Sequence, residues 1–161
     1  FAINNCDVCD TLKMNECMSQ SFKWCENESK FVDFIIAHPP YMDIVKFTDK
    51  KEDLSAIADL QLFLEKFTLS IKNALNFLKK NKYFAVVIGD VYKKSEVIPL
   101  GFYVMDAIKK NFKTKLKGII VKNIEGNRGK IGAQGIWRYR AMQSDYYLFK
   151  HEYIFVFKKE F

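Results

Sequence analysis

The chain has 161 residues, of which 49% are hydrophobic and 28% charged, with fifteen Phe and eight Tyr. This is the size and composition of one globular domain able to bury a core, and it excludes intrinsic disorder. No uncharged apolar run approaches the roughly 18 residues that span a bilayer, which excludes a helical membrane protein. The net charge of +7 is unevenly spread: from Lys109 to Arg140 the only acidic residue is Glu125. Such an excess attracts phosphate and makes binding salt-dependent. With no secretory leader visible, the lysine-rich chain is expected in the reducing cytoplasm. Cys6, Cys9, Cys17 and Cys25 are therefore expected to be free thiols. Their spacing, C-x2-C-x7-C-x7-C, has one close pair and no nearby histidine, so no metal site is expected.

In chain order, Phe1 to Asp7 reads as a strand, with Asp7 and Val8 at its carboxyl end. Residues 11–30 are polar around Phe22 and Trp24 and read as a surface insertion with a short helix. Phe31 to Ala37 has the apolar character of an interior parallel strand. Pro39 and Pro40 then remove two backbone donors and fix φ, so the strand must stop. His38-Pro39-Pro40-Tyr41 is thus a stiff loop at a strand's carboxyl end, where open α/β sheets bind ligands. The plainer reading of the same four residues is a cis-proline turn with a packed tyrosine.

Residues 42–53 read as a loop over that site. The apolar positions Leu60, Phe63, Leu64, Phe67, Ile71, Ala74, Leu75 and Leu78 then predict an amphipathic helix running toward Lys80,. A short helix near Leu54 to Ile57, capped by Asp53, precedes it. Tyr83 to Ile88 reads as a core strand ending at Gly89 and Asp90. Pro99 opens a helix through Lys110 with Leu100, Tyr103, Val104 and Ile108 on one side. Leu116 to Ile124 and Tyr147 to Phe157 are the last strands, the latter placing His151 where a neighbouring backbone group would satisfy it. The order predicts one α/β domain over 1–161, a mostly parallel sheet with an antiparallel edge hairpin. Residues 126–145 form a basic glycine-rich loop that matches neither the phosphate loop nor G-x-G-x-x-G. Arg128 and Lys130 lie in it, and it leads into Trp137-Arg138-Tyr139-Arg140, where planar cations and aromatics alternate. That pattern suits phosphate contact and base stacking, and Trp137 and Tyr139 suit a structural role equally.

His38-Pro39-Pro40-Tyr41 resembles motif IV of the amino-methylating DNA methyltransferases, written Asp/Asn/Ser-Pro-Pro-Tyr/Phe/Trp, with His38 departing at the first position. Phe1-Ala-Ile-Asn-Asn-Cys-Asp-Val8 resembles the family's motif III, where a strand ends in an acidic residue. Tyr83 to Tyr92 resembles its next core strand and His151 to Lys158 its closing strand. Motif I, Phe-x-Gly-x-Gly, is not recognisable, so the chain reads as the C-terminal portion of a longer enzyme. The missing portion or a partner subunit would complete the site.

The resemblance implies a Rossmann-like S-adenosylmethionine-dependent methyltransferase fold, incomplete in this chain. It implies DNA as partner and methylation of adenine N6 or cytosine N4, adenine slightly favoured, on a base flipped out of the duplex. Asp7 would accept from the cofactor's adenine amino group, and the Val8 N–H would reach another adenine edge atom. His38 and the Pro39 carbonyl would accept the two amino hydrogens of the target, Tyr41 would stack on it, and Asp90 would shape the base pocket. No metal or cysteine nucleophile is needed. Two other readings use the same residues: a non-catalytic nucleic-acid-binding fragment or subunit of this fold, and an RNA or protein amino-methyltransferase.

Overall fold

The computed structural model describes residues 3–124 and 149–161. They form α1 (Thr11–Trp24), β1 (Val32–Ala37), α2 (Leu60–Leu75), β2 (Leu78–Ile88), β3 (Val91–Lys93), β4 (Glu96–Ile98), α3 (Leu100–Asn111), β5 (Thr114–Asn123) and β6 (His151–Lys159). Single 3-10 turns occur at Met42–Ile44 and Leu54–Ala56. The main sheet has the order β1-β2-β6-β5, and β3 and β4 form a separate hairpin. β1 and β2 are parallel with α2 as their crossover, whereas β6 runs antiparallel to both β2 and β5. The late antiparallel pair is as predicted. The sheet as described is nevertheless mixed rather than mostly parallel, because β6 enters between β2 and β5 and reverses two pairings at once.

Strand alternation gives the sheet one helix-covered face. Phe84, Val86 and Ile88 of β2 and Phe155 and Phe157 of β6 pack there against Phe63, Phe67, Ile71 and Leu75 of α2 and Leu100, Val104 and Ile108 of α3. Each such side chain contributes about 1.5–3 kcal/mol relative to exposure. Tyr103, expected with the buried set of α3, is 42% exposed. On β1 and β2, Phe34, Ile36 and Tyr83 are exposed.

α2 ends at Leu75 instead of continuing to Lys80, and Leu78 opens β2. The terminal carbonyls of a helix need donors, and here one comes from the far end of the chain. The buried Lys159 ammonium donates to the carbonyls of Leu75 and Leu78, each at 2.7 Å. Burial holds that ammonium below its ordinary value.

Residues 3–7 lie outside any strand, contrary to the expectation for Phe1 to Asp7. The chain instead turns directly into α1, where Asp10 accepts the N–H groups of Leu12 and Lys13 at 3.0 and 3.1 Å. An N-cap of this kind satisfies donors that the first helical turn leaves open, and it commits the preceding residues to a turn. α1, 14 residues long, is also longer than the short helix predicted within 11–30. It is tied to α2 through Asn73, which accepts from Thr11 Oγ1 at 3.1 Å and donates to the carbonyls of Val8 and Cys9 at 2.9 and 3.2 Å.

Candidate active site

Register brings the candidate residues to one end of the sheet. Ala37 pairs with Val86, Ile88 with Tyr153, and Lys122 with Glu152. The carboxyl ends of β1, β2 and β5 therefore meet the first residues of β6. His38 to Tyr41, Gly89, Asp90, Lys122 and Glu152 all belong to this end. β1 stops at Ala37 immediately before His38 and the prolines, as predicted. No cis peptide occurs among the described residues.

The loop does not leave Tyr41 free in solvent. Its partly buried ring packs against the core and lies over Gly89, where an added Cβ would come within 2.8 Å of Tyr41 Cε2. Only glycine permits that approach. The Tyr41 hydroxyl donates to Glu152 Oε2 at 2.7 Å, and Lys122 Nζ donates to Glu152 Oε1 at 2.6 Å. His38 Nε2 lies 3.2 Å from the same hydroxyl, and the His38 side chain is exposed. Burial first, and then Glu152, raise the Tyr41 hydroxyl well above the usual phenol value. Burial also pushes the Glu152 carboxyl up, but hydrogen bonds from Lys122 and Tyr41 outweigh it and hold the group below the ordinary carboxylate value.

Asp90 has a structural partner: its Oδ1 accepts the Gly101 N–H at 3.1 Å in the first turn of α3, where Pro99 has no capping side chain. The loop after Tyr41 is anchored by Lys93, whose Nζ lies 2.8 Å from Asp43 Oδ1 and 3.3 Å from the Ala58 carbonyl. Lys93 belongs to the β3–β4 hairpin, which turns through Lys94 and Ser95 at φ 53° and 60°. A turn of that kind usually carries glycine or asparagine, and neither is present to announce it.

The predicted cofactor residues lie in the turn before α1. Asp7 Oδ1 accepts the Cys9 N–H at 2.9 Å. Asn5, Cys6 and Asp7 line an open depression of about 320 Å³ together with Lys13, Lys50 and Glu52, so the segment that follows motif IV shares a wall with Asp7. Burial, reinforced by Cys17, pushes the Cys6 thiol up to about 11, which keeps it protonated and unreactive. Among the described residues no group of three His, Cys, Asp or Glu side chains is placed to hold a metal. His151 Nε2 lies 3.1 Å from the Tyr153 hydroxyl.

Arg128, Lys130, Trp137, Arg138, Tyr139 and Arg140 lie outside the described residues. The residues that flank their segment are described: the Ile124 N–H donates to the Lys150 carbonyl at 2.8 Å, at the Glu152 end of the sheet. Glu152 itself is the residue that sequence reasoning missed. One signal was available, a lone carboxylate beside the aromatic and aliphatic run Tyr153 to Phe157 of β6, where an unpaired charge is costly.

A strand ending in His-Pro-Pro-Tyr at the carboxyl edge of a methyltransferase-type sheet defines a class, and the comparisons agree with it. The sequence profile of the N6/N4 DNA methylase family matches residues 32–160. The chain belongs to that family. A putative DNA modification methylase of Thermus thermophilus shares the fold, with TM-score 0.54 and 18% identity over 81% of this chain and 45% of the other. Its complex with S-adenosyl-L-methionine gives TM-score 0.53 and 18% identity over 81% and 48%. The PvuII cytosine-N4-specific DNA methyltransferase gives TM-score 0.51 and 14% identity over 80% and 42%. This chain thus spans less than half the length of each of these structures. No curated protein matches the sequence. Among the described residues no helix is long and apolar enough to cross a membrane.

Proposed function

We propose that this chain supplies the target-amine half of an S-adenosylmethionine-dependent DNA methyltransferase acting on an exocyclic amino group, adenine N6 or cytosine N4, with adenine N6 the first to test. The observation that carries this reading is the exposed His38 imidazole on a proline-stiffened loop, locked beside Tyr41 at the carboxyl end of β1. An exocyclic amine has its lone pair delocalised into the ring, and acceptors aimed at its N–H groups help localise it. His38 through one ring nitrogen and the Pro39 carbonyl supply those acceptors, while Tyr41 forms a wall of the base pocket. The target must leave the duplex to reach them.

The cofactor, when bound, supplies a methyl group made electrophilic by its sulfonium. At the adenine end Asp7 is suited to hold it. Its carboxylate lines a depression of about 320 Å³, inside the range of small-molecule sites, and a carboxylate accepts from an amino group. With the cofactor bound, the amine nitrogen would take the methyl group as the methyl–sulfur bond breaks and the thioether leaves, and an uncharged His38 imidazole would be placed to receive the proton that the nitrogen sheds. Positioning and electrostatics then account for rate, with no covalent enzyme intermediate. Arg128, Lys130, Arg138 and Arg140 are proposed to hold phosphates, with Trp137 and Tyr139 against bases, in the segment that joins β5 to β6 at this end of the sheet.

The test is methyl transfer from labelled cofactor by the natural full-length protein to DNA, RNA and protein, with digestion of the product to nucleosides. Labelled N6-methyladenine or N4-methylcytosine from DNA is expected, and His38→Ala should lose at least about 100-fold in turnover, the usual scale for a proton-transfer group. Label in RNA or protein alone, or an undiminished His38→Ala enzyme, would overturn the reading.

A further inference from the structure

Lys122, Glu152, Tyr41 and His38 form a continuous chain of contacts from β5 through β6 to the motif IV loop, and its polarity can be worked out from donor counts. Glu152 has a side chain only 8% exposed, with Lys122 Nζ on Oε1 at 2.6 Å. The neighbouring ammonium keeps the carboxylate ionised, and an ionised carboxylate only accepts. The single Tyr41 hydroxyl proton must therefore point at Glu152 Oε2, 2.7 Å away. The hydroxyl oxygen is left with acceptor capacity alone. The other side-chain neighbour of that oxygen is His38 Nε2 at 3.2 Å. For that contact to be a hydrogen bond, Nε2 must carry the proton. A neutral imidazole has one protonated and one bare nitrogen, so Nδ1 is then the bare one.

We propose that Glu152 is a positioning residue that acts through Tyr41 to hold His38 in the Nε2–H tautomer, so that Nδ1 is the atom presented to the target amine. This rests on the amino-methylation reading for its purpose, but the tautomer itself is a property of the protein without substrate. Free imidazole does not commit to one tautomer so strictly, and the wrong one would face the amine's N–H with another N–H. A carboxylate or amide at the first motif position offers its acceptor oxygen directly. A histidine there needs a neighbour to choose its nitrogen, and Glu152 makes that choice from the next-but-one strand.

The experiment uses the two histidines of the chain, His38 and His151, labelled with ¹⁵N in the ring and observed by long-range ¹H–¹⁵N correlation in mildly alkaline buffer. His151→Asn assigns the His38 signals. Expected is one bare and one protonated nitrogen on His38, with the proton on Nε2. Tyr41→Phe removes only the bridging hydroxyl, and Glu152→Leu removes the carboxylate. Each should collapse the His38 signals toward the averaged pattern of mixed tautomers while His151 keeps its own. A His38 proton on Nδ1 in the parent protein, or a His38 pattern unchanged in Tyr41→Phe, overturns the proposal. Should Glu152→Leu fail to fold, the parent spectrum and Tyr41→Phe decide alone. Because no DNA or cofactor is present, this result stands apart from the methyl-transfer assay, whose failure would bear on the proposed function and leave the tautomer in place.

Discussion

The two ends of the candidate site are held in opposite ways. Tyr41 is fixed by Glu152, 111 positions along the chain, and its ring lies over Gly89, just past the end of β2, so its geometry is inseparable from the assembled sheet. The Asp7 segment is tied to α2 by the Asn73 amide, which donates to the carbonyls of Val8 and Cys9, and by Cys9 Sγ, which lies 3.4 Å from the Lys66 carbonyl; its other contacts include the local Asp7–Cys9 turn. The Tyr41 end should therefore resist local opening as strongly as the core, while the Asp7 end, proposed to meet the cofactor, is held to α2 by side-chain contacts alone and should open more readily. Local stability of this graded kind is normal where ligands must enter.

The largest effect is expected where the rigid end is broken. Gly89→Val would drive a side chain into the Tyr41 ring, and overpacking of this kind costs about 1–3 kcal/mol. Urea unfolding should show the midpoint falling by the corresponding amount, and an unshifted midpoint would mean the ring is not wedged against Gly89. Next comes Asn73→Ala at the other end. It leaves part-buried carbonyls without their donor, at about 1–2 kcal/mol, and hydrogen exchange should quicken at residues 9–13 while residues 84–86 of β2, paired on both sides, keep their protection. Equal quickening at both ends would erase the contrast.

The smallest effect is the pH dependence of Glu152. Its folded-state value is depressed, so its ion pair stabilises the fold above the ordinary value of 4.5 and is lost as pH falls through the lower folded value. The Lys122 side chain is 56% exposed, so solvent screening keeps the term under about 1 kcal/mol. The stability difference between the parent and Glu152→Gln should narrow as pH is lowered below about 4.5. A difference that stays constant to pH 3 would assign the Glu152 contribution to packing.

Elements whose apolar pattern has a single period were legible without coordinates: β1, the core of β2, α2, α3 and the two late strands. So was the loop His38 to Tyr41, because proline acts on the backbone locally. What failed depended on partners distant in sequence. α1 looked like a polar insertion because part of its anchoring comes from Asn73, 62 positions from Thr11. α2 was read one turn too long because its stop is reinforced by Lys159. The β3–β4 hairpin lacked the glycine that would mark its turn. Glu152 drew no notice because its value lies in the cross-strand pairing with Lys122, and register between strands separated by a long connection cannot be counted off one sequence. Asp90, expected to shape the base pocket, also has a structural task that the sequence did not announce: its Oδ1 accepts the Gly101 N–H in the first turn of α3.

The position of β6 has a consequence for how the molecule is made. It follows every other described strand in the chain, yet it sits inside the sheet between β2 and β5, and among the described residues β5 pairs with no other strand. During synthesis, then, β5 waits unpaired, α2 lacks its Lys159 cap, and Tyr41 lacks Glu152 until residues 151–159 have emerged from the ribosome. Pairings this remote in sequence close slowly, and the waiting edges are open to misassociation in the interval. Nascent chains stalled before residue 151 should be protease-sensitive throughout the sheet, and protection should appear in one step once β6 is free.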